Sequence, residues 1–230
     1  MSLIAPQPLR EQETMDARRV AFLTTGQSPR SDLVPEMVAE IGVAIEVIEA
    51  GMLDHLSGAE IEELRPAAGA PVIVSRLRDG REVLMDQRKV AAGLQPLIDA
   101  HAGADVLVLL CTGSFPALTS DSALLKAGPV VDGRVAELER SRQRIGVMVP
   151  GAAQVAGYSK ADGSMFAAHA SPYGAPRWRE AVDELAEVDA IVMHCMGYTR
   201  AMGDHVAALS GKPTDVSRSL VAAAVRERVN

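Results

Sequence analysis

Short apolar runs alternate with amphipathic segments along most of the chain. The strongest runs have the length and β-branched content of buried strands, and they lie at residues 19–25, 106–110, 144–150 and 190–194. Continuous apolar strands separated by helix-like segments are typical of parallel sheets that helices cover on both faces. The pattern therefore predicts an α/β protein with mainly parallel sheets.

Turn and capping signals add further elements. Ser57-Gly58-Ala59-Glu60 is a capping box that predicts the start of a helix. Asp79-Gly80, between two short apolar runs, predicts a β-hairpin of residues 72–74 with 82–84. Pro96 predicts a kink or break in its helix, and Pro176 suits a first helical turn. Periodicity predicts a short strand at 43–48 and helices at about 31–41, 87–100, 151–156, 176–187, 199–209 and up to 229.

Two regions carry weaker patterns. Residues 113–143 are polar and irregular, and at least one short helix is expected there. Residues 158–173 are ambiguous, with room for one more strand. The two halves still follow a similar order, because each begins with a strand that ends in a loop and later has a strand that ends in a cysteine.

The composition narrows the class of protein. Of 230 residues, 48% are hydrophobic but only 3% are aromatic, so the core must consist of Ala, Val, Leu, Ile and Met. This length suits one large domain or two small ones. The formal net charge of −7 provides no basic field, which argues against a nucleic-acid-binding protein.

The location follows from the lack of targeting signals. No apolar run approaches the roughly 18 residues of a membrane-spanning helix. Residues 1–17 are largely polar and lack a long apolar core, so they are predicted to be a disordered or loose tail rather than a signal peptide. We therefore expect a cytoplasmic protein without a membrane partner, whose cysteines are reduced thiols.

The chain has 2 cysteines, and each comes at the end of a predicted buried strand. Cys111 follows the run from Ala104 and Cys195 the run from Asp189, and each is followed by one residue and then a glycine. Ligands of α/β proteins bind at the carboxyl ends of strands. The matched contexts suggest one cysteine on each side of a single substrate.

Several motifs occur in a fixed order along the chain. They are Thr24-Thr25-Gly26-Gln27-Ser28-Pro29-Arg30, Gly51-Met52-Leu53-Asp54, Ser75 with Arg88-Lys89-Val90, Cys111-Thr112-Gly113, Val149-Pro150 and His194-Cys195-Met196-Gly197-Tyr198. In this order and spacing the chain resembles the AroM family, a relative of the aspartate/glutamate racemases. The resemblance extends from about residue 18 to 229.

The resemblance implies a fold and a division into domains. It implies two similar α/β domains with mainly parallel sheets, related by pseudo-two-fold symmetry, with the ligand cleft between them. Residues 18–115 would form the first domain, joined by a returning C-terminal helix at 214–230. Residues 116–213 would form the second domain. The resemblance leaves a homodimer open.

The resemblance also implies roles for the cysteines. Cys111 and Cys195 would occupy the catalytic positions of the two domains, acting without a metal or any other cofactor. Glutamate racemases have Cys-Asn-Thr and Cys-Thr-His at these positions, whereas this chain has Cys111-Thr112-Gly113 and Cys195-Met196-Gly197. The substrate contacts of those racemase side chains are therefore not transferred to this chain.

The chemistry that two thiols support is proton transfer at a carbon next to a carboxylate. A thiolate on one face removes the proton, and a thiol on the other face supplies one. We expect the pKa of the thiolate to lie below the usual value of about 8.5, lowered by a helix amino terminus. Glycines after each cysteine would let backbone amides approach the substrate. The alternative is that both cysteines are buried hydrophobic residues without chemistry.

Other candidate site residues lie in the loops around these positions. The polar loop after the first strand would contact a carboxylate or hydroxyl, with Arg30 forming a bidentate pair; alternatively, Ser28 or Ser31 caps a helix. His194 is expected to be structural, because adjacent strand residues point to opposite faces. The histidines show no metal-ligand spacing. The predicted substrate-binding residues are Thr25, Gln27, Ser28, Arg30, Thr112, Gly113, Ser114, Met196, Gly197 and Tyr198.

These observations favour one function and leave two others open. The favoured function is a cofactor-independent racemase or isomerase of a small carboxylate or related carbonyl compound, with two cysteines as acid and base. The second is a decarboxylase or lyase in which one cysteine protonates a carbanion. The third is a non-catalytic small-molecule-binding protein.

Overall fold

The computed structural model describes residues 17–174 and 177–230. The strands are β1 Arg18–Thr24, β2 Ile45–Gly51, β3 Val72–Arg76, β4 Glu82–Asp86, β5 Val106–Leu109, β6 Ala123–Lys126, β7 Ile145–Val149, β8 Met165–His169, β9 Ala190–Met193 and β10 Thr214–Val216. The helices are α1 Val34–Ile41, α2 Gly58–Glu63, α3 Gln87–Ala100, α4 Ala127–Arg140, α5 Trp178–Glu184, α6 Arg200–Ser210 and α7 Ser217–Val229, with a 3₁₀ helix at Ala152–Gly157. Except for Ala17, the expected tail lies outside the described residues, as does Pro176.

The predicted α/β fold with two parallel sheets is confirmed. The first sheet has 4 strands in the order β2-β1-β5-β6, and the second has 4 in the order β8-β7-β9-β10 when read from its opposite edge. Every pairing within these sheets is parallel. Each half therefore repeats the same strand order, which is the internal relationship expected of two similar domains.

The two halves also exchange helices. Helix α4 follows the last strand of the first sheet, but its apolar residues Val131, Val135 and Leu138 pack on strands of the second sheet. Helix α7 follows the last strand of the second sheet, and its Val221 and Val225 pack on the first sheet. The last helix thus packs on the first sheet, and α4 makes the reciprocal crossing to the second.

The domain boundaries expected from the sequence would separate paired strands of the observed sheets in two places. A boundary after residue 115 would exclude β6, which pairs with β5 in the first sheet. A returning segment from residue 214 would include β10, which pairs with β9 in the second sheet. We propose instead that the crossings into α4, after Lys126, and into α7, after Val216, divide the chain.

Helix α3 continues through Pro96 to Ala100, so the predicted break does not occur. Val90, Leu94 and Ile98 are fully buried on one side of α3, while Pro96 lies on the exposed side. Burial of this stripe outweighs the loss of one backbone hydrogen bond at proline.

The predicted hairpin is present as the antiparallel pair β3–β4. Its inward side chains Ile73, Ser75 and Met85 are buried. Ser75 Oγ accepts a hydrogen bond of 2.9 Å from Thr25 Oγ1, so the hairpin is held against the loop that follows β1. The hairpin thereby forms one wall at the carboxyl ends of the first sheet.

The described residues contain no helix long and apolar enough to cross a membrane.

Candidate active site

The carboxyl ends of the central strands of both sheets open into one cavity of about 280 Å³. Cys111 follows β5 and Cys195 follows β9, which occupy the same place in the two sheets. Both cysteines line this cavity, and both are partly exposed. The structure thus brings the two thiols to one shared space.

A glycine follows each cysteine at the same spacing and packs closely against a neighbouring side chain. The backbone N–H groups of Gly113 and Gly197 each donate to the sulfur two residues earlier, at N···S distances of 3.4 Å. A Cβ atom on Gly113 would lie 2.7 Å from Ile73 Cδ1, and one on Gly197 would lie 2.5 Å from Tyr173 Oη. Close approach therefore requires glycine at both positions.

The electrostatic environment of the thiols differs from the expectation of a lowered pKa. Burial raises the pKa of Cys111 to about 11, opposed by the Gly113 N–H and reinforced by the charge of Cys195. Burial also raises the pKa of Cys195, while the Gly197 N–H and then the charges of Arg30 and Arg218 act to lower it. Loss of hydration therefore outweighs the nearby donors and cations, and both cysteines rest as thiols.

Arg30 lies at the cavity, but its guanidinium is held by its own loop. Nε donates to Asp32 Oδ1 at 2.8 Å and Nη2 donates to Asp32 Oδ2 at 2.9 Å, which is a bidentate pair. Burial acts to lower the pKa of Arg30, yet the hydrogen bonds and charges of Asp32 and Tyr173 raise it. The fork expected to bind a substrate carboxylate is thus occupied by Asp32, although Arg30 still places a positive charge near both thiols.

Tyr173 connects the two walls of the cleft. Its hydroxyl accepts a 3.3 Å hydrogen bond from Arg30 Nη2, and the guanidinium carbon of Arg76 lies 4.6 Å from its ring centroid. Burial raises the pKa of Tyr173 to about 12, so the phenol is neutral. Sequence reasoning missed both Tyr173 and Arg76, because they come from segments far from the cysteine motifs.

The remaining residues of the first loop divide into two groups. Thr25 lines the cavity, and its side chain also contacts Cys111. Gln27 and Ser28, also predicted as substrate contacts, lie outside the described cavity lining. Gln27 Oε1 accepts from the Arg78 N–H, and Ser28 Oγ donates to Asp54 Oδ2 at 2.6 Å, so both hold the loop in place.

Neither serine proposed as a helix cap has that role. Helix α1 begins after Leu33, with no side-chain capping bond.

Of the residues near the cysteines, Thr112, Ser114 and Met196 line the cavity. Tyr198 lies outside this lining: it is fully buried, and its hydroxyl donates to the Ala170 carbonyl at 2.7 Å. Tyr198 is therefore part of the second core, and its predicted role as a substrate contact is wrong. The apolar ring packs inside because the turn after Cys195 carries it away from the cavity.

His194 lines the cavity, contrary to the expectation that it faces away from Cys195. Strand β9 ends at Met193, so strand alternation no longer applies at His194. Its Nε2 lies 3.0 Å from Asp132 Oδ1 and its Nδ1 lies 3.2 Å from Tyr158 Oη. The His194 side chain is 2% exposed, so its ring is almost fully buried.

Arg218 fixes the Cys195 loop from behind. It is 1% exposed, and its Nη2 donates to the Met196 carbonyl at 3.0 Å. Nη1 donates to Glu36 Oε2 on α1 at 2.9 Å. This arginine links the second cysteine loop to the first sheet's helix layer, and its place in an amphipathic terminal helix had given no sequence signal for that role.

No cluster of three or more His, Cys, Asp or Glu side chains suited to a metal ion occurs in residues 17–174 and 177–230.

Comparisons with known proteins agree with this architecture. The family model described as AroM protein matches residues 20–229. No curated protein matches the chain at a significant level.

Among solved structures, an aspartate racemase from Picrophilus torridus has a TM-score of 0.53 at 13% identity and covers 93% of this chain and 94% of its own. An unliganded arylmalonate decarboxylase has a TM-score of 0.51 at 13% identity, covering 93% of each chain. A Nocardia farcinica maleate cis-trans isomerase, a cysteine-to-serine mutant with a covalently bound succinylcysteine intermediate, has a TM-score of 0.51 at 14% identity, covering 92% of each chain. At these identities the likeness establishes the fold.

Proposed function

We propose, from the premise that this chain belongs to the AroM family, that it is a cofactor-independent racemase or isomerase of a small carboxylate or related carbonyl compound. Cys111 and Cys195 would be its acid and base. The observation that carries the proposal is that both thiols line one cavity, at corresponding strand ends of two similar sheets. The structurally similar proteins are named for aspartate, arylmalonate and maleate, all small carboxylates.

The proposed reaction balances with one proton moving at each face of the substrate. One cysteine, as the thiolate, takes the proton from the carbon next to the carboxylate, and the electron pair moves into the carbonyl group as an enolate. The other cysteine, as the thiol, gives its proton to the opposite face of that carbon. The first cysteine is then the thiol and the second is the thiolate, so the reverse reaction uses the same groups with exchanged roles.

The raised thiol pKa values limit the rate of this reaction at neutral pH. The thiolate of Cys111 is scarce because burial disfavours its charge. Arg30 and the Gly113 and Gly197 N–H groups favour the charged forms. The proposed active form is thus a minor ionisation state, and activity should increase with pH through the neutral range.

Substrate binding in this proposal depends on hydroxyls and backbone groups more than on an arginine fork. The bidentate face of Arg30 is already occupied by Asp32. Thr25, Thr112 and Ser114 line the cavity and supply polar groups near the thiols. A carboxylate would lie within reach of the Arg30 charge without displacing Asp32.

A decarboxylase is the second candidate, and the raised pKa of Cys111 favours it. A cysteine that rests as a thiol is suited to donating a proton to the carbanion left by carbon dioxide loss. That reaction needs one thiol as an acid and no thiolate. The same resting state would also occur in a non-catalytic binding protein, so measured turnover must separate the three functions.

The test is solvent deuterium incorporation at the carbon next to the carboxylate, measured by NMR with aspartate and phenylmalonate. Loss of exchange in both Cys111→Ala and Cys195→Ala, with folding retained, supports the two-thiol reaction. Carbon dioxide release that survives in one of these variants indicates the decarboxylase. Exchange at the wild-type rate in either variant removes that cysteine from the mechanism, and Cys→Ser variants of the same size serve as matched controls.

A further inference from the structure

We propose that Asp132 and His194 are positioning residues that set the direction of the Tyr158 hydroxyl. Tyr158 then offers a hydrogen-bond acceptor to the cavity while His194 is neutral, and a donor when His194 is protonated. All three residues line the cavity that contains the thiols. They come from α4, from the loop after β9 and from the end of the 3₁₀ helix, and no motif along the chain joins them.

The geometry determines which ring nitrogen carries the proton in neutral His194. Nε2 lies 3.0 Å from a carboxylate oxygen of Asp132, which only accepts, so Nε2 must donate. Nδ1 is then the lone-pair nitrogen and accepts from Tyr158 Oη at 3.2 Å. The phenol proton therefore points at His194, and the oxygen lone pairs remain for the cavity.

Protonation of His194 reverses this direction. Both ring nitrogens of the imidazolium donate, so Nδ1–H donates to Tyr158 Oη. The phenol proton is displaced from that contact and becomes a donor to the cavity. The ring centroids lie 4.8 Å apart and the planes are tilted by 50°, so the change needs rotation of one hydroxyl and no movement of either ring.

The surroundings of the three residues allow the hydrogen bond between Tyr158 and His194 to have two directions. The His194 side chain is 2% exposed, whereas that of Asp132 is 64% exposed, so Asp132 connects the buried ring to solvent. Arg30, Arg76 and Glu82 also line the cavity. Burial raises the pKa of Tyr158 most, followed by the charge of Asp132 on α4 and then by the charges of the two cysteines. These effects bring the Tyr158 pKa to about 12 and keep the phenol protonated, so that its direction changes rather than its charge.

The consequence for the proposed reaction is a coupling between the proton on His194 and the charge in the cavity. A thiolate or an enolate needs a donor, which Tyr158 provides only when His194 is protonated. A thiol or a substrate N–H group needs an acceptor, which Tyr158 provides when His194 is neutral. The inference rests on the proposed function for its role in catalysis, but the hydrogen-bond directions belong to the free protein and are tested without turnover.

The first experiment reads the histidine tautomer directly. Long-range ¹H–¹⁵N correlation on the free protein labelled at histidine should show neutral His194 with its proton on Nε2. In Tyr158→Phe the Nδ1 signal should move toward that of a nitrogen without a hydrogen bond, while Nε2 stays protonated. A proton on Nδ1 in the neutral ring, or an Nδ1 signal unaffected by Tyr158→Phe, would overturn the proposal whatever the turnover assay shows.

The second experiment reads the cavity. We measure the rate at which iodoacetamide alkylates Cys195 from pH 5 to 10, with the site identified by mass spectrometry. The wild type should show two lines of unit slope joined by a shallower step, because the Tyr158 donor is lost when His194 becomes neutral. Tyr158→Phe should react about tenfold more slowly below the step, as expected for loss of one hydrogen bond to a charged group.

Asp132→Asn should displace or remove the step, because it takes away the carboxylate that accepts from Nε2 of His194. Glu137→Gln is the matched control, since it removes one charge from the same helix at a residue paired with Arg134. Its step should coincide with that of the wild type. A merely structural role for Asp132 would leave the step in place, and that result would refute the assignment.

Discussion

The reactivity of Cys111 provides a quantitative test of how strongly the cavity disfavours a thiolate. With a pKa of about 11, Cys111 holds about 300-fold less thiolate at neutral pH than a free cysteine with a pKa of about 8.5. The more basic thiolate is intrinsically more nucleophilic, and a Brønsted slope of about 0.45 over this difference raises the rate per thiolate about 13-fold. We therefore expect Cys111 to be alkylated about 25-fold more slowly than a cysteine in an unfolded peptide.

The assay is iodoacetamide labelling under pseudo-first-order conditions, with the modified peptide quantified by mass spectrometry. The rate should rise about tenfold per pH unit from pH 8 to 10, since the ionised fraction does so below the pKa. Unfolding the protein in urea provides the internal control, because Cys111 then becomes an ordinary cysteine. A rate that levels off near pH 8, or one equal to the unfolded rate at pH 7.5, would show that the donors outweigh burial and contradict the reasoning.

Three further predictions concern stability. Arg218→Met should lower the free energy of unfolding by about 3 kcal/mol, because it leaves the buried partners of the guanidinium unpaired. Urea denaturation measures this loss, and Arg218→Lys should recover part of it. Gly197→Ala should lower the free energy of unfolding by about 1–3 kcal/mol, since the new Cβ would lie 2.5 Å from a tyrosine oxygen. Gly58→Ala should cause no such loss, because a Cβ there meets nothing within 4 Å. Burial acts to raise the pKa of Asp32, but the hydrogen bonds and charge of Arg30 outweigh it and lower that pKa. The lowered pKa contributes folding stability that is present above pH 3.8 and is lost as the pH falls further. The free energy of unfolding should therefore fall less steeply with acid in Asp32→Asn.

The elements that could be predicted are those whose local patterns and burial agree. The strand before Cys111 is continuously apolar and is buried at every position from Val106 to Leu109. The capping box at Ser57 forms with both of its reciprocal contacts. The Asp79-Gly80 turn closes the expected hairpin. In each case local preference and tertiary environment favour the same structure.

The elements that were missed depend on contacts distant in sequence. Helix α4 begins Ala-Gly-Pro, which are mostly poor residues for a helix interior, yet it runs for 14 residues. Its apolar stripe covers the second sheet. Gly128 lets the first turn of α4 lie close to the loop after Cys111, where a Cβ would come within 3.0 Å of the Thr112 carbonyl oxygen. No single-segment pattern reveals that α4 belongs to the other half's core.

The same distinction applies to the candidate site. The cysteines and their glycines were recognisable because their strands repeat one local pattern. Tyr173 and Asp132 line the cavity from a loop and a helix, and Arg218 supports it from behind. Polar residues of these kinds are common on surfaces. Conversely, the Ser28 hydroxyl, which the sequence placed among the substrate contacts, donates to Asp54 in this structure.

The shared cavity imposes an electrostatic relation between the two thiols that bears on their proposed roles. A charge on Cys195 raises the pKa of Cys111, so two thiolates disfavour each other. Arg30 lowers the pKa of both and can stabilise a thiolate on either side. Mutual repulsion around one cation favours states with at most one thiolate. A reversible transfer between two thiols begins and ends with one thiolate and one thiol and passes through an enolate with two thiols, so it never needs two thiolates. A protonating cysteine in a decarboxylase needs no such coupling, and this relation is why we place the two-thiol reaction first.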